Sequence, residues 1–409
     1  MKILHVVQCY YPAVGGAEAL AKNFSEQLAN RHNDDVTVFT AAATKPAYFW
    51  RDEGEALPAG IETINNVTVR RFQVFRKFNY LRGLLARGMH RLRLPYNDRA
   101  RTFEVGPLIF DLPDAIVQHN ADVVMATTFP FKHMYDAVLG AKRANVPVVL
   151  IGAIHVDDAW GYERKMMFEA IAQADAYVAL TPFERDYLIE RGILANKIHV
   201  IGGGVYAKPF LQADGQQIRE KYGLGNDLVV TVMSRQSELK RLGTVLDAMP
   251  LVWETYPDVR LLMAGARTNY SAVLDAKIAQ LPTAQQERIV QIHNFPEAEK
   301  AEILAASDIF VHPSGHESFG IVFVEAWATG CPIIGTRVGA VASLIDEEID
   351  GLLYDFGDEK ALARQILRFV KNADLREKMG RAGQQKVLQN YTWEIVADRL
   401  RLVYESLVD

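Results

Sequence analysis

The chain has 409 residues, of which 49% are hydrophobic and 23% are charged, and its formal net charge is -5. This length exceeds what one ordinary hydrophobic core serves and predicts two or three domains, while the average composition argues against disorder. The slightly acidic balance gives no reason to expect a nucleic-acid partner.

The first residues, "MKILHVVQCYYP", contain a short apolar run without a small-residue cleavage site, and so predict a buried strand and not a signal peptide. The longest apolar stretch, "VPVVLIGAIHV", is too short to cross a bilayer as a helix. Cys9 and Cys331 lie too far apart in sequence to suggest a disulfide framework. These features favour a cytoplasmic protein in a reducing compartment.

Short apolar runs alternate with amphipathic helical patterns along most of the chain. The predicted strands of the first half are "KILHVVQ", "DDVTVFTA", "VTVRRFQV", "DVVMATT", "PVVLIGAI", "AYVAL" and "KIHVIGG". Those of the second half are "LVVTVMSR", "VRLLMAG", "IVQIHNF", "DIFVHPS" and "PIIGTRV". Strand and helix in alternation predict an α/β protein with parallel sheets covered by helices on both faces.

A glycine cluster, "IGGGVYAKPF", separates the two series of strands. We therefore predict a Rossmann-like domain over residues 1–205 and a second over 206–390. A C-terminal helix over 391–409 is expected to pack back toward the first domain. Two such doubly wound domains, facing each other, would hold a ligand in a deep cleft at the carboxyl ends of their strands.

Two features follow strands of the first half. Gly15 and Gly16 lie between the first strand and the first helix, where glycine lets the backbone approach a ligand and the helix N-terminus attracts phosphate. A tight bend alone explains such a pair equally well. His155 follows the strand "PVVLIGAI", and Asp157 and Asp158 after it are expected to cap the next helix.

Residues 76–101 form a basic stretch with leucines at roughly helical spacing. Its cations are Arg76, Lys77, Arg82, Arg87, Arg91, Arg93, Arg99 and Arg101, opposed by Asp98. Two interpretations remain open: a helix that lies on an anionic membrane, and a helix that buries its leucines and leaves its arginines in water. A third role, binding an acceptor phosphate, fits the same residues.

The second half contains two charged constellations. Arg235 follows a strand and Lys240 comes five residues later, which suits a diphosphate that gains charge during a reaction. The segment "HESFGIVFVEAWATG" sets Glu317 and Glu325 in apolar surroundings, although unpaired carboxylates are rarely buried. A helix is expected from near Ser318 to Gly330, with Glu317 in the loop before it.

Here the sequence resembles a known family. "HPSGHESFGIVFVEAWATGCPIIGTRVGA" and the following "GLLYDFGD" look like the E-x7-E signature of retaining glycosyltransferases of the family 4 type, which have the GT-B fold. The resemblance extends from the first strand to the last helix. It implies transfer of a sugar from a nucleoside diphosphate sugar to a hydroxyl acceptor, with retention at the anomeric carbon.

The resemblance also implies roles for individual residues. Glu317 contacts the donor sugar, Glu325 binds the ribose, and Arg235 with Lys240 grips the diphosphate. Gly15 and Gly16 cover the donor phosphate, and His155 lines the active site near the transferred sugar. The backbone of Ser318, Phe319, Gly320 and Ile321 donates N–H groups to phosphate at a helix N-terminus.

No cofactor is expected beyond the nucleotide sugar, and no metal site, because the histidines are scattered and no Asp-x-Asp triplet is present. The chain departs from the family pattern at Arg241, where glycine is usual, in "GGGVY" at 202–206, and at Ser343, where glutamate is common. The alternatives are an epimerase or phosphorylase on the same fold, or a catalytically silent nucleotide-sugar binding protein. The sequence does not identify the sugar, the base, the acceptor or the oligomeric state.

Overall fold

The computed structural model describes residues 1–51 and 53–408, and the chain divides into two compact units. Unit 1 comprises Met1–Gly203 and Trp393–Asp409, and unit 2 comprises Gly204–Thr392. The chain passes from unit 1 to unit 2 within the predicted glycine cluster and returns to unit 1 at its last helix. The two predicted doubly wound α/β domains are confirmed as the fold class.

Unit 1 is built on a sheet whose strand order is β3-β4-β2-β1-β5-β6-β7-β8. These strands are β1 (Lys2–Val7), β2 (Asp35–Ala41), β3 (Gly60–Ile64), β4 (Val67–Phe72), β5 (Val123–Thr127), β6 (Val148–Ile151), β7 (Ala176–Ala179) and β8 (Ile198–Val200). All neighbours pair in parallel except β3, which is antiparallel to β4. The sequence analysis missed β3 because its residues are mostly exposed at the sheet edge and carry little apolar pattern.

Helices cover both faces of this sheet, which is why its central strands are buried throughout. They are α1 (Gly16–His32), α2 (Asn79–Arg91), α3 (Asn97–Val105), α4 (Leu112–His119), α5 (His133–Ala144), α6 (Ala159–Tyr162), α7 (Lys165–Gln173) and α8 (Pro182–Glu190). The strand order reverses between β1 and β5, so the switch point of unit 1 lies where the chain leaves these two strands.

Unit 2 repeats the architecture with the strand order β11-β10-β9-β12-β13-β14. The strands are β9 (Val229–Met233), β10 (Arg260–Gly265), β11 (Ile289–His293), β12 (Ile309–His312), β13 (Ile333–Thr336) and β14 (Gly351–Tyr354). They all pair in parallel, and the order reverses between β9 and β12. The last strand, β14, is formed by "GLLY" and was not among the predicted strands, because the sequence analysis used this segment only as part of the family motif "GLLYDFGD".

The helices of unit 2 are α9 (Ala207–Leu211), α10 (Gln216–Lys221), α11 (Leu242–Trp253), α12 (Ser271–Ala279), α13 (Thr283–Gln286), α14 (Lys300–Ala305), α15 (Ile321–Ala328), α16 (Gly339–Leu344), α17 (Glu359–Lys371) and α18 (Ala373–Asn390). The helix predicted from Ser318 to Gly330 is shorter than expected. It begins at Ile321 because Gly320 adopts a left-handed conformation (φ 91°) that ends the preceding loop.

The last helix, α19 (Trp393–Val408), belongs to unit 1 and packs on α1. Trp393 meets Phe24 of α1 edge-to-face with ring centroids 5.6 Å apart. The Tyr404 hydroxyl lies 3.1 Å from Nε2 of His5, a buried histidine of β1 whose Nδ1 is 2.7 Å from Ser25 Oγ. Among the described residues, no helix is both long and apolar enough to cross a bilayer.

Candidate functional site

The charged residues predicted in the second half lie at the switch point of unit 2. β9 ends at Met233 and Arg235 follows it, while β12 ends at His312 and Glu317 follows it. β9 and β12 are neighbours in the sheet, so their carboxyl ends meet at one edge. Ligands of doubly wound sheets bind where the strand order reverses. The fold therefore places both constellations where a ligand is expected.

A glycine at the end of β10 shapes the loop that carries Arg235. A Cβ atom on Gly265 would lie 1.8 Å from the Ser234 carbonyl oxygen, and the φ of Gly265 is 148°. Only glycine combines this backbone conformation with so close an approach. Gly265 therefore allows the chain to leave β9 directly beside the end of β10.

Arg235 and Lys240 differ in their surroundings. The Arg235 side chain is exposed, and no carboxylate in the described part of the chain pairs with it. Lys240 ends a 3₁₀ turn at Glu238–Lys240, and its ammonium bonds the Glu317 carboxylate. Arg241 follows in a left-handed conformation (φ 53°), so the arginine adopts the geometry that glycine takes without strain. Its guanidinium lies 5.6 Å from the centroid of the Phe356 ring.

Glu317 is held through one of its two oxygens. The Lys240 ammonium and the Nε2 of His312 both contact Oε1, the latter at 2.8 Å, and His312 is only 1% exposed. Burial by itself raises the pKa of the Glu317 carboxyl, but the hydrogen bond from His312 and the neighbouring cationic groups outweigh it and hold that pKa far below its usual range. Glu317 is therefore an ionised carboxylate at any working pH.

The loop before Glu317 is anchored on a neighbouring strand. Thr336, at the end of β13, donates a hydrogen bond of 2.7 Å to the Ser314 carbonyl oxygen. The Ser314 hydroxyl in turn accepts from the His316 amide at 3.2 Å. The carboxylate is consequently carried by a loop that the sheet fixes.

Glu325 lies on α15 and is 7% exposed. Its Oε1 accepts from the Lys300 ammonium at 2.7 Å, whereas Oε2 has no hydrogen-bond partner among the described residues. Burial raises the pKa of the Glu325 carboxyl, and the Lys300 charge opposes that rise. Burying a carboxylate oxygen without a hydrogen-bond donor lowers the stability of the protein. Such an oxygen is typical of a binding site in which the ligand supplies the donor.

The segment between the two glutamates forms the entry to α15. The Phe319 ring is buried against Tyr391, with centroids 5.5 Å apart, so the backbone of this residue and not its side chain is left for a ligand. Gly320 precedes the helix, and a Cβ on it would lie 2.9 Å from the Phe323 ring. Ser318 is half-buried, and Ile321 opens the helix with an exposed side chain.

Several residues at this edge escaped the sequence analysis. His312 and Lys300 hold the two glutamates, and the buried Gln236, next to Arg235, has no partner for its side-chain amide within the described residues. His312 lies in the quoted "DIFVHPS", immediately before the signature, and its position was an available signal. Nothing local marks Lys300, which reaches Glu325 from another helix.

At the switch point of unit 1, Gly15 lies between β1 and α1 as predicted, whereas Gly16 is the first residue of α1. A Cβ on Gly15 would lie 2.2 Å from Oε2 of Glu18, whereas a Cβ on Gly16 would meet nothing within 4 Å. Glu18 is buried and accepts a hydrogen bond of 2.9 Å from the Gln8 amide. Gly15 therefore accommodates Glu18, while Gly16 keeps open space at the start of the helix.

His155 follows β6 and is half-buried, with its ring 5.6 Å from that of Tyr162 in an edge-to-face contact. Asp158 caps α6 by accepting from the Gly161 amide at 3.0 Å, as expected of it. The structure thus gathers Arg235, Lys240 and Glu317 at one edge of unit 2, with Glu325 on the helix that follows. It carries Gly15, Gly16 and His155 on loops of unit 1.

Unit 1 also contains a pocket of about 910 Å³. Side chains from α2 line one wall, among them Tyr80, Arg87 and His90, and Trp50 and Trp160 contribute aromatic surface. The end of α3, with Glu104, and the segments after β2, β5 and β6 supply the rest of the wall. Within residues 1–51 and 53–408, no group of three or more His, Cys, Asp or Glu side chains is arranged to hold a metal ion.

Two family models match the chain. Residues 14–208 match the one described as Glycosyltransferase Family 4, and residues 214–386 match the one described as Glycosyl transferases group 1. N-acetyl-alpha-D-glucosaminyl L-malate synthase of Bacillus anthracis is 22% identical over 420 residues, covering 100% of this chain and 98% of that protein. Phosphatidyl-myo-inositol mannosyltransferase of Mycobacterium leprae is 32% identical over 169 residues, covering 41% of this chain and 43% of that protein.

Solved structures are similar over the whole chain. Anabaena HepE in complex with UDP and glucose superposes with a TM-score of 0.72 at 20% identity, covering 100% of both chains. Sucrose-phosphate synthase from Thermosynechococcus elongatus superposes with a TM-score of 0.71 at 17% identity, covering 100% of this chain and 99% of the other.

These similarities and the two parallel-sheet units define the class of protein, which is the GT-B glycosyltransferases. Within that class the chain belongs to glycosyltransferase family 4. It is accordingly an enzyme that acts on a sugar donor.

Proposed function

We propose that the protein transfers a sugar from a nucleoside diphosphate sugar to an acceptor hydroxyl, with retention at the anomeric carbon and without a divalent cation. One observation carries the proposal. At the switch point of unit 2, the loop after β9 carries Lys240 and Arg235, and Arg235 has no carboxylate partner among the described residues. Lys240 pairs with Glu317, which lies on the loop after the neighbouring strand β12. This arrangement offers cations for a diphosphate and an ionised carboxylate for hydroxyls.

Arg235 and Lys240 would bind the diphosphate and stabilise the charge that develops on it as the glycosidic bond breaks. A guanidinium matches phosphate oxygens in a bidentate manner, and an ammonium acts as a mobile point charge. Arg235 is exposed and has no carboxylate partner within residues 1–51 and 53–408, so binding an anion would break no ion pair in that part of the chain. The two cations would supply the electrostatic stabilisation that a metal ion supplies in other transferases.

Glu317 would orient the sugar. Lys240 and His312 hold its Oε1, and no described side chain donates to Oε2, which leaves that oxygen to accept hydroxyl hydrogen bonds. Glu325 would hold the ribose. Its Oε2 accepts no hydrogen bond from the described residues, and the ribose hydroxyls would donate to it. The amides from Ser318 to Ile321, at the start of α15, would add N–H donors for phosphate.

The acceptor would bind unit 1, whose loops carry Gly16 and His155. In retaining enzymes of this type the departing phosphate assists deprotonation of the acceptor on the same face of the sugar, so no protein base is assigned. The HepE structures hold UDP, UDP with glucose, or UDP-glucose, which supports a nucleoside diphosphate sugar and makes UDP the first base to test. Both cysteines are unpaired and buried, which supports a cytoplasmic location.

The test begins with binding. A thermal-shift screen of UDP, GDP and ADP and their sugars should raise the melting temperature with one nucleotide series, because a ligand that binds the native state stabilises it. Lys240→Ala and Glu317→Ala should each lower sugar transfer at least about 100-fold. Each also breaks the Lys240–Glu317 ion pair, so the melting temperature should fall while unfolding stays cooperative. Lys277→Ala, which removes a partly exposed lysine paired with Asp247, should leave transfer unchanged.

Wild-type turnover in either active-site variant would contradict the role given to that residue. Full loss of transfer after treatment with EDTA, restored by a divalent ion, would contradict the metal-independent mechanism. Inversion at the anomeric carbon, read by NMR of the product, would contradict retention.

A further inference from the structure

The helix α2 of unit 1 has its apolar side turned to solvent. A surface helix normally buries its apolar stripe in the domain. Here the leucine stripe, defined as Leu81, Leu84, Leu85 and Leu92, is 59%, 46%, 60% and 70% exposed. Leu81, Leu84 and Leu85 are spaced so that they share one side of the helix, and Leu92 directly follows its last residue.

The opposite side of α2 explains why the leucines of this helix face solvent. The fully buried residues of the helix are Gly83 and Ala86, and the helix packs against α3. Small side chains therefore face the domain, and the large apolar ones face outward. The sequence left open whether these leucines pack inward, and the structure shows that they do not.

Aromatic and basic side chains surround the leucine stripe. Phe78, Tyr80 and Tyr96 are all more than half exposed. The exposed cations are Lys77, Arg87, Arg91, Arg93 and Arg99. Aromatic rings favour the boundary between hydrocarbon and water, and arginines bind lipid phosphates there.

Acidic groups do little to offset these cations. Asp98 accepts from the backbone amides of Arg99 and Met166, and Glu104 is largely buried with Arg87 at 3.6 Å. This surface is thus locally cationic in a chain whose formal net charge is -5. An apolar stripe bordered by cations complements an anionic lipid surface better than it does a second copy of itself, because two such surfaces would repel.

The pocket of unit 1 lies on the inner side of the same helix. Gly83 leaves room there, since a Cβ on it would lie 3.1 Å from both Arg87 Nη2 and Glu104 Oε1. Glu104 Oε2 is buried without a partner among the described residues, and burial raises the pKa of this carboxyl. A ligand with a phosphate for the arginines and hydroxyls for Glu104 matches this lining.

We propose that the leucine stripe and its cations dock on an anionic lipid bilayer, and that the pocket behind α2 takes the phosphate- and hydroxyl-bearing head of a lipid from that bilayer as the sugar acceptor. The docking part stands independently of catalysis. The acceptor part rests on the proposed transferase function.

Docking is tested by vesicle flotation without any sugar donor. The wild-type protein should float with vesicles of equal parts phosphatidylglycerol and phosphatidylcholine, and not with phosphatidylcholine alone. The triple variant Leu81→Ser/Leu84→Ser/Leu85→Ser should float about tenfold less or worse, because it loses the apolar part of the binding. Arg91→Glu/Arg93→Glu should float less and lose the dependence on salt concentration.

The matched control is Leu194→Ser/Leu402→Ser, which removes two other exposed leucines of unit 1 and should float like the wild type. Because all these leucines are exposed, the variants should keep the wild-type melting temperature. Equal flotation of the wild type and the triple variant would overturn docking. A wild-type dimer in sedimentation that the triple variant dissociates would assign the leucine stripe to a second copy and also overturn it.

The pocket is tested with short-chain phosphatidylglycerol below its micelle concentration. Trp50 and Trp160 line the pocket, so the fluorescence of the wild type should change saturably, and Gly83→Leu, which fills the space, should abolish the change. Gly83→Leu should still float with anionic vesicles. No saturable change in the wild type, or an unaltered one in Gly83→Leu, would overturn the pocket assignment. This readout needs no sugar transfer, so its failure is distinct from failure of the transferase proposal.

Discussion

Units 1 and 2 share one architecture and differ in what they place at the switch point. In unit 2 the predicted glutamates are paired with lysines, Glu317 with Lys240 and Glu325 with Lys300, while Arg235 has no carboxylate partner in the described chain. Unit 1 presents Gly15, Gly16 and an aromatic pocket instead. The difference teaches that a parallel sheet fixes where a ligand binds, while the loops decide which chemistry it meets.

The pairing in unit 2 also separates two kinds of cation. Lys240 has a carboxylate partner within the protein, Glu317, whereas Arg235 has none among the described residues. A substitution at Lys240 therefore affects both stability and binding. A substitution at Arg235 should affect binding alone, and this contrast can be measured.

The largest expected effect is on Arg235. Arg235→Ala should lower kcat/KM about 100- to 1,000-fold, as loss of a transition-state cation does, while the free energy of unfolding changes by less than about 0.5 kcal/mol because the side chain is exposed and unpaired. Steady-state kinetics and urea unfolding measure the two quantities. Arg364→Ala, an exposed arginine of α17, is the control. Near-normal kcat/KM in Arg235→Ala would remove this residue from the diphosphate site.

The next effect concerns the acid sensitivity of unit 1. Burial lowers the pKa of His5 to about 3, and burial is also the main reason that the pKa of His133 falls to about 4. The unfolded chain binds protons on these histidines near pH 6.5, whereas the folded chain does not. Their contribution to stability is thus complete above that pH and is lost as the pH falls toward the folded values.

Between pH 7.5 and pH 5, the free energy of unfolding should therefore fall by about 2 kcal/mol less in His5→Gln than in the wild type. Urea unfolding of both proteins at the two pH values measures this. His90→Gln changes an exposed histidine and should follow the wild type. A His5→Gln variant with the wild-type pH dependence would show that His5 is not the group that titrates.

A smaller effect should distinguish the two glycines of unit 1. Gly16→Ala adds a Cβ that meets nothing within 4 Å at the first residue of α1, so stability should be unchanged or rise by up to about 1 kcal/mol. The donor KM should nonetheless rise about tenfold, equivalent to about 1.4 kcal/mol, if phosphate approaches this backbone. Gly88→Ala, another uncrowded helical glycine, should leave KM unchanged. An unaltered KM in Gly16→Ala would make the glycine pair a simple bend.

The smallest effect is expected at Arg241. Arg241→Gly removes the strain of a left-handed backbone conformation at a non-glycine residue. It also increases the conformational entropy of the unfolded chain and removes the contact with Phe356. These terms oppose each other, so the free energy of unfolding should change by less than about 1 kcal/mol, and transfer by less than about threefold. Thermal unfolding and initial rates measure both. A larger loss of transfer would give the Arg241 side chain a direct role.

The fold was largely predictable because its signals are local. Apolar runs between amphipathic stretches identified every strand from β1 to β13 except β3, and Gly330 with Pro332 marked the end of α15. The strands that escaped are β3, which is an exposed edge strand, and β14, whose residues were used only as part of the family motif. The start of α15 was placed too early because nothing in the sequence reports the left-handed φ of Gly320.

Some residues of the candidate site could likewise be found from the sequence, and others could not. Arg235, Lys240, Glu317 and Glu325 were identified from their spacing and from the family resemblance. Lys300 was not, since its hydrogen bond to Glu325 joins two helices and leaves no periodic trace in the sequence. His312 and Glu18 were also missed, although both lie within a few residues of a predicted site residue.

The sequence by itself determined two doubly wound domains and the positions of the charged segments after strands, because side-chain periodicity and strand order follow from local patterning. Only the tertiary structure decided that Lys240 pairs with Glu317, that Lys300 pairs with Glu325, and that the leucines of α2 face outward. A helical stripe can be read from residue spacing, but what covers it depends on which elements pack nearby. That packing is set by contacts between residues far apart in the chain.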